Sequence, residues 1–288
     1  MLKEWKRYLT GILLIPITLG IVYFLPDKFF LYLILVIALF SFAEYLALFD
    51  ERKHPFFIVV AVIMAFLVES IGGMGAVAKI SSATIGEVEG LLKSFKQFTL
   101  ATFSAVVLIP AFSLYGKEAA EIKFKRMLIY FFGFFYLGIT FGLFPLVRSY
   151  GAHHHWLALA LITPWVCDTA AYFGGRMLGK RKFAPQISPK KTWEGALSGA
   201  LFSVVTGVVF YFTLLKDENI FFLITLSFLI GVFGQTGDLV ESLVKRGAKA
   251  KDSGKLFPGH GGLLDRTDSL IVSVTVVFIA LLVRSYVS

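Results

Sequence analysis

Two pairs of carboxylates bracket a basic, glycine-rich run towards the C-terminal end of the chain: Asp238 with Glu241, and Asp265 with Asp268. Between them lie Lys245, Arg246, Lys251, Asp252, Pro258, His260 and five glycines, and Arg266 follows Asp265 directly. Carboxylates are hard oxygen ligands, and one or two of them together with substrate phosphate are enough to hold Mg²⁺. Lysine and arginine cover the phosphate oxygens that a metal leaves bare. Glycines let backbone N–H groups approach an anion closely. If the first segment is helical, Asp238, Glu241, Ser242 and Lys245 share one face. The pattern points to metal-assisted chemistry between phosphates. Asp238 and Asp265 are the expected metal ligands and Asp268 a further one, with Lys245 and His260 as catalytic candidates.

A second basic segment runs from Arg176 to Glu194 and carries six Lys or Arg before its first acid. Within it, Ser188, Lys190, Lys191, Thr192 and Glu194 crowd the mouth of an apolar run, a donor-rich set suited to phosphate. Asp168 lies inside an apolar stretch beside Cys167; a charge at membrane depth is costly and marks a functional candidate. Taken singly, ordinary structure explains most of these residues. Asp265 or Asp268 can cap a helix, Glu241 and Lys245 can form an i, i+4 ion pair, and Arg181 and Lys182 can rest on anionic lipid. The joint arrangement is harder to explain that way, because an apolar helix has no structural need for Asp238 at its end. Glu44 and Glu69 sit near the ends of apolar runs and read as interfacial carboxylates. His153, His154 and His155 read as a surface cluster, and Cys167 as packing.

The elements that must position these residues follow from composition. The chain has 288 residues, 57% hydrophobic and 16% charged, with a mean hydropathy of +0.77. That is too apolar for a water-soluble domain and too hydrophobic for disorder. One cysteine excludes a disulfide scaffold. Nine stretches approach the roughly 20 residues a spanning helix needs: 9–26, 28–49, 55–72, 97–116, 127–147, 155–174, 193–215, 219–237 and 267–287. The runs are too long, and too continuous, for barrel strands. Residues 1–26 look like a signal peptide without a cleavage site, so they are expected to remain as an anchor. The expected fold is an all-α polytopic membrane protein. Residues 1–150 hold spans one to five; residues 151–288 hold spans six to nine, with loops 175–192 and 246–266 between them. Nine spans divide the 28 basic residues into 21 on one face and 7 on the other. The rich face, with the N-terminus, is therefore expected in the cytoplasm. The net charge of +9 reads as topology plus phosphate handling, which leaves no call for nucleic acid. The loop from Gly73 to Lys96 has no visible chemistry and a short amphipathic turn near Ile85–Leu92.

The run Ser242-x-x-Lys245-Arg246, Lys251-Asp252-x-Gly254, Phe257-Pro258, His260-Gly261-Gly262, Asp265-Arg266-x-Asp268 resembles the signature of CDP-diacylglycerol synthases, the phosphatidate cytidylyltransferases, across 27 residues. Ser188-Pro-Lys-Lys-Thr-Trp-Glu-Gly195 is similar to the same family, as is Asp168 with Ala171-Tyr-Phe and Gly174. Ala170 stands where the family has glycine. Towards the N-terminus the likeness is confined to hydropathy and Glu44-Tyr45. The resemblance implies transfer of the cytidylyl group of CTP to phosphatidate at a bacterial inner membrane, with Mg²⁺ and room for a second divalent or monovalent ion; it also allows a homodimer. In such a reaction Asp238, Asp265 and Asp268 would bind metal, with Asp168 a ligand or the group that orients one. Lys245, Arg246, Lys251 and Arg266 would meet the triphosphate, with Asp252 beside them. Ser188, Lys190, Lys191, Thr192 and Glu194 would line the substrate, and His260 would orient a phosphate or assist the leaving group. The Asp-Gly-x-x-Ala-Arg motif of CDP-alcohol phosphotransferases is absent. A secondary transporter would carry its charges at midplane between repeated halves; here they gather at one face.

Overall fold

A computed structural model describes residues 15–51, 54, 56–74, 85–151, 154–254 and 261–287. Among these residues eight helices are long and apolar enough to cross a membrane, so the chain is a multi-pass, all-α membrane protein. They are α2 (Asp27–Leu48), α3 (Phe56–Gly73), α4 (Ile85–Ser113), α5 (Ala120–Ser149), α6 (His155–Leu178), α7 (Trp193–Thr213), α8 (Ile220–Gly247) and α9 (Leu264–Val287). A shorter apolar helix, α1 (Ile15–Phe24), is the described part of the first expected span. Residues 1–14, expected as part of an anchor, and His153 and His260 lie outside the described residues.

Two boundaries differ from the hydropathy reading. Helix α4 starts at Ile85, well before the expected 97. The expected short turn is thus its first turns, and Lys93 and Lys96 are helical. Helix α8 runs on to Gly247, ten residues past the apolar run. Hydropathy marks where lipid ends, whereas a helix ends where its backbone hydrogen bonds stop. At 28 residues, α8 is about 42 Å long, more than the roughly 30 Å hydrocarbon layer. Its polar C-terminal turns can therefore stand beyond the lipid.

The chain divides into two compact units. In the first, residues 1–152 with 253–264, helix α5 packs against α2, α3 and α4. Its glycines make this possible. A Cβ at Gly133 would lie 2.6 Å from the Tyr45 ring, and one at Gly142 would lie 2.7 Å from Ile71. Small residues of this kind allow close helix approach where lipid offers no hydrophobic driving force. The Tyr45 hydroxyl donates to the Ile129 carbonyl at 3.0 Å. Two buried arginines fasten the ends of α5. Arg148 donates to Val22 O at 2.8 Å and pairs with Asp27 at 2.6 Å, closing the α1–α2 turn. Arg126 pairs with Glu51 at 2.9 Å and Glu118 at 3.0 Å, and its hydrogen bond holds the Glu118 carboxyl below the usual glutamate range.

In the second unit, residues 153–252 with 265–288, α6 packs on α7, α7 on α8 and α6 on α8. Small residues again set the spacing: a Cβ at Gly199 would meet Cys167 O at 2.9 Å, and one at Gly207 would meet Leu223 O at 2.7 Å. Cys167 is buried, donating to Gly231 O and accepting from Gln235, in line with a packing role. The loop between α6 and α7 folds as an antiparallel hairpin of β1 (Lys182–Ala184) and β2 (Ser188–Thr192), paired Lys182 to Thr192 and Ala184 to Ser188.

Candidate functional site

The second unit brings Asp168 from α6, Lys191 from β2, Asp238 from α8 and Asp268 from α9 into one electrostatic neighbourhood, with Arg266 at its edge. Lys191 Nζ lies 2.8 Å from Asp238 Oδ2. Ser242, one helical turn further along α8, donates to Asp238 Oδ1 at 3.3 Å. Both oxygens of Asp238 therefore face polar partners. The Asp268 carboxylate accepts the Ser269 N–H at 2.7 Å. Asp168 is exposed although it is the fourteenth residue of an apolar helix. Its electrostatic neighbours are all polar groups of β2, α8 and α9. A carboxylate at membrane depth that faces charged groups of neighbouring elements marks a functional position.

A second cluster lies one turn along α8. Lys245 Nζ is 2.6 Å from Asp265 Oδ1 and also pairs with Glu241. Glu241 is nearly fully buried, at 3% exposure, so its charge needs that ammonium. The helices approach closely beside both clusters. A Cβ at Gly237 would meet Asp268 O at 2.7 Å, so only glycine lets the first turn of α9 lie against α8 here. That contact presents Asp265 and Asp268 to Asp238 and Lys245.

Several residues expected at the substrate are engaged in the scaffold. Thr192 Oγ1 accepts the Gly195 N–H at 3.2 Å and caps α7, a bond worth about 1 kcal/mol. The Glu194 carboxylate accepts the N–H groups of Lys180, at 3.0 Å, and Arg181, which ties the start of the hairpin to α7. Arg246 donates to Ile187 O at 3.3 Å and Ala250 O at 3.1 Å, tying the hairpin turn to the end of α8. By contrast, Lys190, Lys251, Asp252 and Arg266 are exposed, while Ser188 is half-buried at the first pair of β2. Glu241, on the expected helical face but not among the expected site residues, joins the site through its pair with Lys245. Glu44, read as merely interfacial, accepts the Leu264 N–H at 2.9 Å. No local pattern announces a contact between residues 220 positions apart.

The carboxylates offer hard oxygen donors, and two of them, Asp238 and Asp265, already face cationic ammonium groups. That donor chemistry fits Mg²⁺. Among the described residues no three His, Cys, Asp or Glu side chains converge as a ready cage. Mg²⁺ does not require one, since it takes one or two carboxylates and completes its shell with water and phosphate.

A model of the cytidylyltransferase family matches residues 5–284. The phosphatidate cytidylyltransferase of Staphylococcus haemolyticus is 44% identical over 136 residues, 47% of this chain and 52% of that protein. The proteins of the same name from Staphylococcus aureus and Staphylococcus epidermidis are 42% and 43% identical over equal lengths. The chain thus spans about half the length of the curated relatives it matches.

Proposed function

Because this chain belongs to the cytidylyltransferase family, we propose that it transfers the cytidylyl group of CTP to phosphatidate, forming CDP-diacylglycerol and pyrophosphate. The carrying observation is the set of acids and bases that α6, β2, α8 and α9 of the second unit bring together: Asp168, Lys191, Asp238, Lys245, Asp265 and Asp268. It lies in the half of the chain that holds the signature read from the sequence.

Both substrates are anions, so the site must neutralise charge and align a lipid phosphate oxygen with the α-phosphorus of CTP. The new bond joins that oxygen to the α-phosphorus as the bond to the β-phosphate oxygen breaks, and pyrophosphate carries away the electron pair. A phosphate oxygen is already nucleophilic, so no covalent enzyme intermediate is required. Asp238, Asp265 and Asp268 would hold Mg²⁺, with Asp168 orienting the group beside them. Bound Mg²⁺ supplies Lewis-acid charge to phosphate oxygens. Lys191, on the more open pair with Asp238, would turn to phosphate, while Lys245 stays between Glu241 and Asp265 and adds its charge from there. Lys190, Lys251 and Arg266 add exposed positive charge. The acids of α8 and α9 stand in the polar terminal turns of those helices, which suits a lipid whose headgroup lies at that depth while its chains stay in the bilayer. The 21 basic residues on the same face support a cytoplasmic site, where CTP is found, in a bacterial inner membrane.

Purified protein given CTP, phosphatidate and Mg²⁺ is expected to release CDP-diacylglycerol and pyrophosphate in equal amounts. Absence of product with every divalent ion tried overturns the reading. Asp238→Asn and Asp265→Asn should each lower kcat by about 10²–10³-fold, the several kcal/mol a correctly held metal contributes. Their folding, checked by size exclusion, should be retained.

A further inference from the structure

We propose that Glu44, on α2, is a positioning residue that closes the stem of the glycine-rich loop and sets the start of α9. Its partners Ser253, Gly254, Gly262 and Leu264 belong with it to the first unit. Oε2 accepts from the Leu264 N–H at 2.9 Å and from the Ser253 hydroxyl at 3.4 Å. One carboxylate therefore takes both ends of the loop. Leu264 is the first residue of α9, whose leading N–H groups have no partner within the helix. A carboxylate there satisfies a donor and complements the positive end of the helix. It does what a local cap does, from a helix 220 residues away.

Two glycines of the loop, Gly254 and Gly262, lie against this carboxylate. A Cβ at Gly254 would lie 2.5 Å from Glu44 Oε1, and one at Gly262 would lie 2.4 Å from Oε2 and 2.3 Å from Ser253 Oγ. A side chain at either position would have to displace the Glu44 carboxylate from its place against the loop. The next residue along the chain is Asp265, so the position of Leu264 sets where α9 begins to present its two aspartates. A misplacement of about 1 Å in such groups costs about a hundredfold in rate.

The kinetic arm of the test rests on the reaction proposed above; the exchange arm does not. Amide hydrogen exchange and cytidylyl transfer would be measured on the full-length protein in detergent for wild type, Glu44→Ala, Glu44→Gln and Gly262→Ala. Glu44→Ala is expected to raise exchange at residues 253–264 at least tenfold, with α3 and α8 unchanged. It should lower kcat about a hundredfold while KM for phosphatidate stays within threefold. Glu44→Gln keeps one acceptor for the Leu264 N–H and should recover at least tenfold of that loss. Gly262→Ala crowds the carboxylate and should loosen the same segment. Unchanged exchange at 253–264 in Glu44→Ala overturns the proposal. So does a rise spread equally through α2, α3 and α5, which would make Glu44 a packing residue only. If the wild type transfers no cytidylyl group, the functional reading fails and the exchange results alone decide the role of Glu44.

Discussion

The sharpest electrostatic feature at the residue scale is one ammonium shared by two acids. Lys245 joins Glu241 on its own helix to Asp265 on the next. Removing one member of a buried pair leaves an uncompensated charge and costs about 3–5 kcal/mol. Lys245→Met is therefore expected to lower the midpoint of thermal unfolding in detergent sharply. Adding Glu241→Gln should restore part of the loss, so that the two changes are less than additive. Additive losses would mean that Glu241 and Lys245 do not stabilise one another. The same helical face carries Asp238 and Ser242, whose spacing is plain in the sequence. Thr192, Glu194 and Arg246 were also legible as special, but their partners were not. A threonine or glutamate at a helix start serves a cap or a phosphate equally well, and only the positions of the Gly195, Lys180 and Arg181 N–H groups decide between the two.

At the scale of elements, small residues set the distances between helices, and those distances set the site. Gly199 faces Cys167, Gly231 faces Ser203, and Gly237 faces the Asp268 carbonyl. Gly199→Leu should force α6 and α7 apart and cost at least about 2 kcal/mol, the scale of overpacking in a tight core. A lowered unfolding midpoint, with activity lost in proportion, is the expected result. An unchanged midpoint would show that the interface has slack. The β1–β2 hairpin was expected only as a basic loop. Its two strands are three and five residues long, too short for an alternating pattern to stand out, and they owe their pairing to tethers from α7 and α8.

For the whole molecule, the span count and the distribution of basic residues make one claim about orientation. Lys117 and Lys216 are both exposed in turns between helices, and the nine-span reading puts them on opposite sides of the membrane. In a Cys167→Ala background, a membrane-impermeant maleimide should label the Lys216→Cys variant in intact cells. It should label Lys117→Cys only after permeabilisation. The reverse pattern, or equal labelling, would refute the orientation.

The sequence by itself determined the all-helical membrane architecture, since a lipid solvent admits few ways to satisfy a backbone. It determined the approximate place of the eight long described spans, and it singled out the acidic and basic residues of the second unit, because their types and helical spacing are local properties. The tertiary structure decided which of those residues meet. It brought Lys191 to Asp238 and Lys245 to Asp265. It assigned Thr192, Glu194 and Arg246 to the scaffold and raised Glu44 from an interfacial acid to the clasp of the glycine-rich loop. The Thr192 cap is local, but the pairings of Glu194, Lys191, Lys245 and Glu44 join residues from 13 to 220 positions apart. They depend on how closely helices pack, which glycines permit and hydropathy does not record.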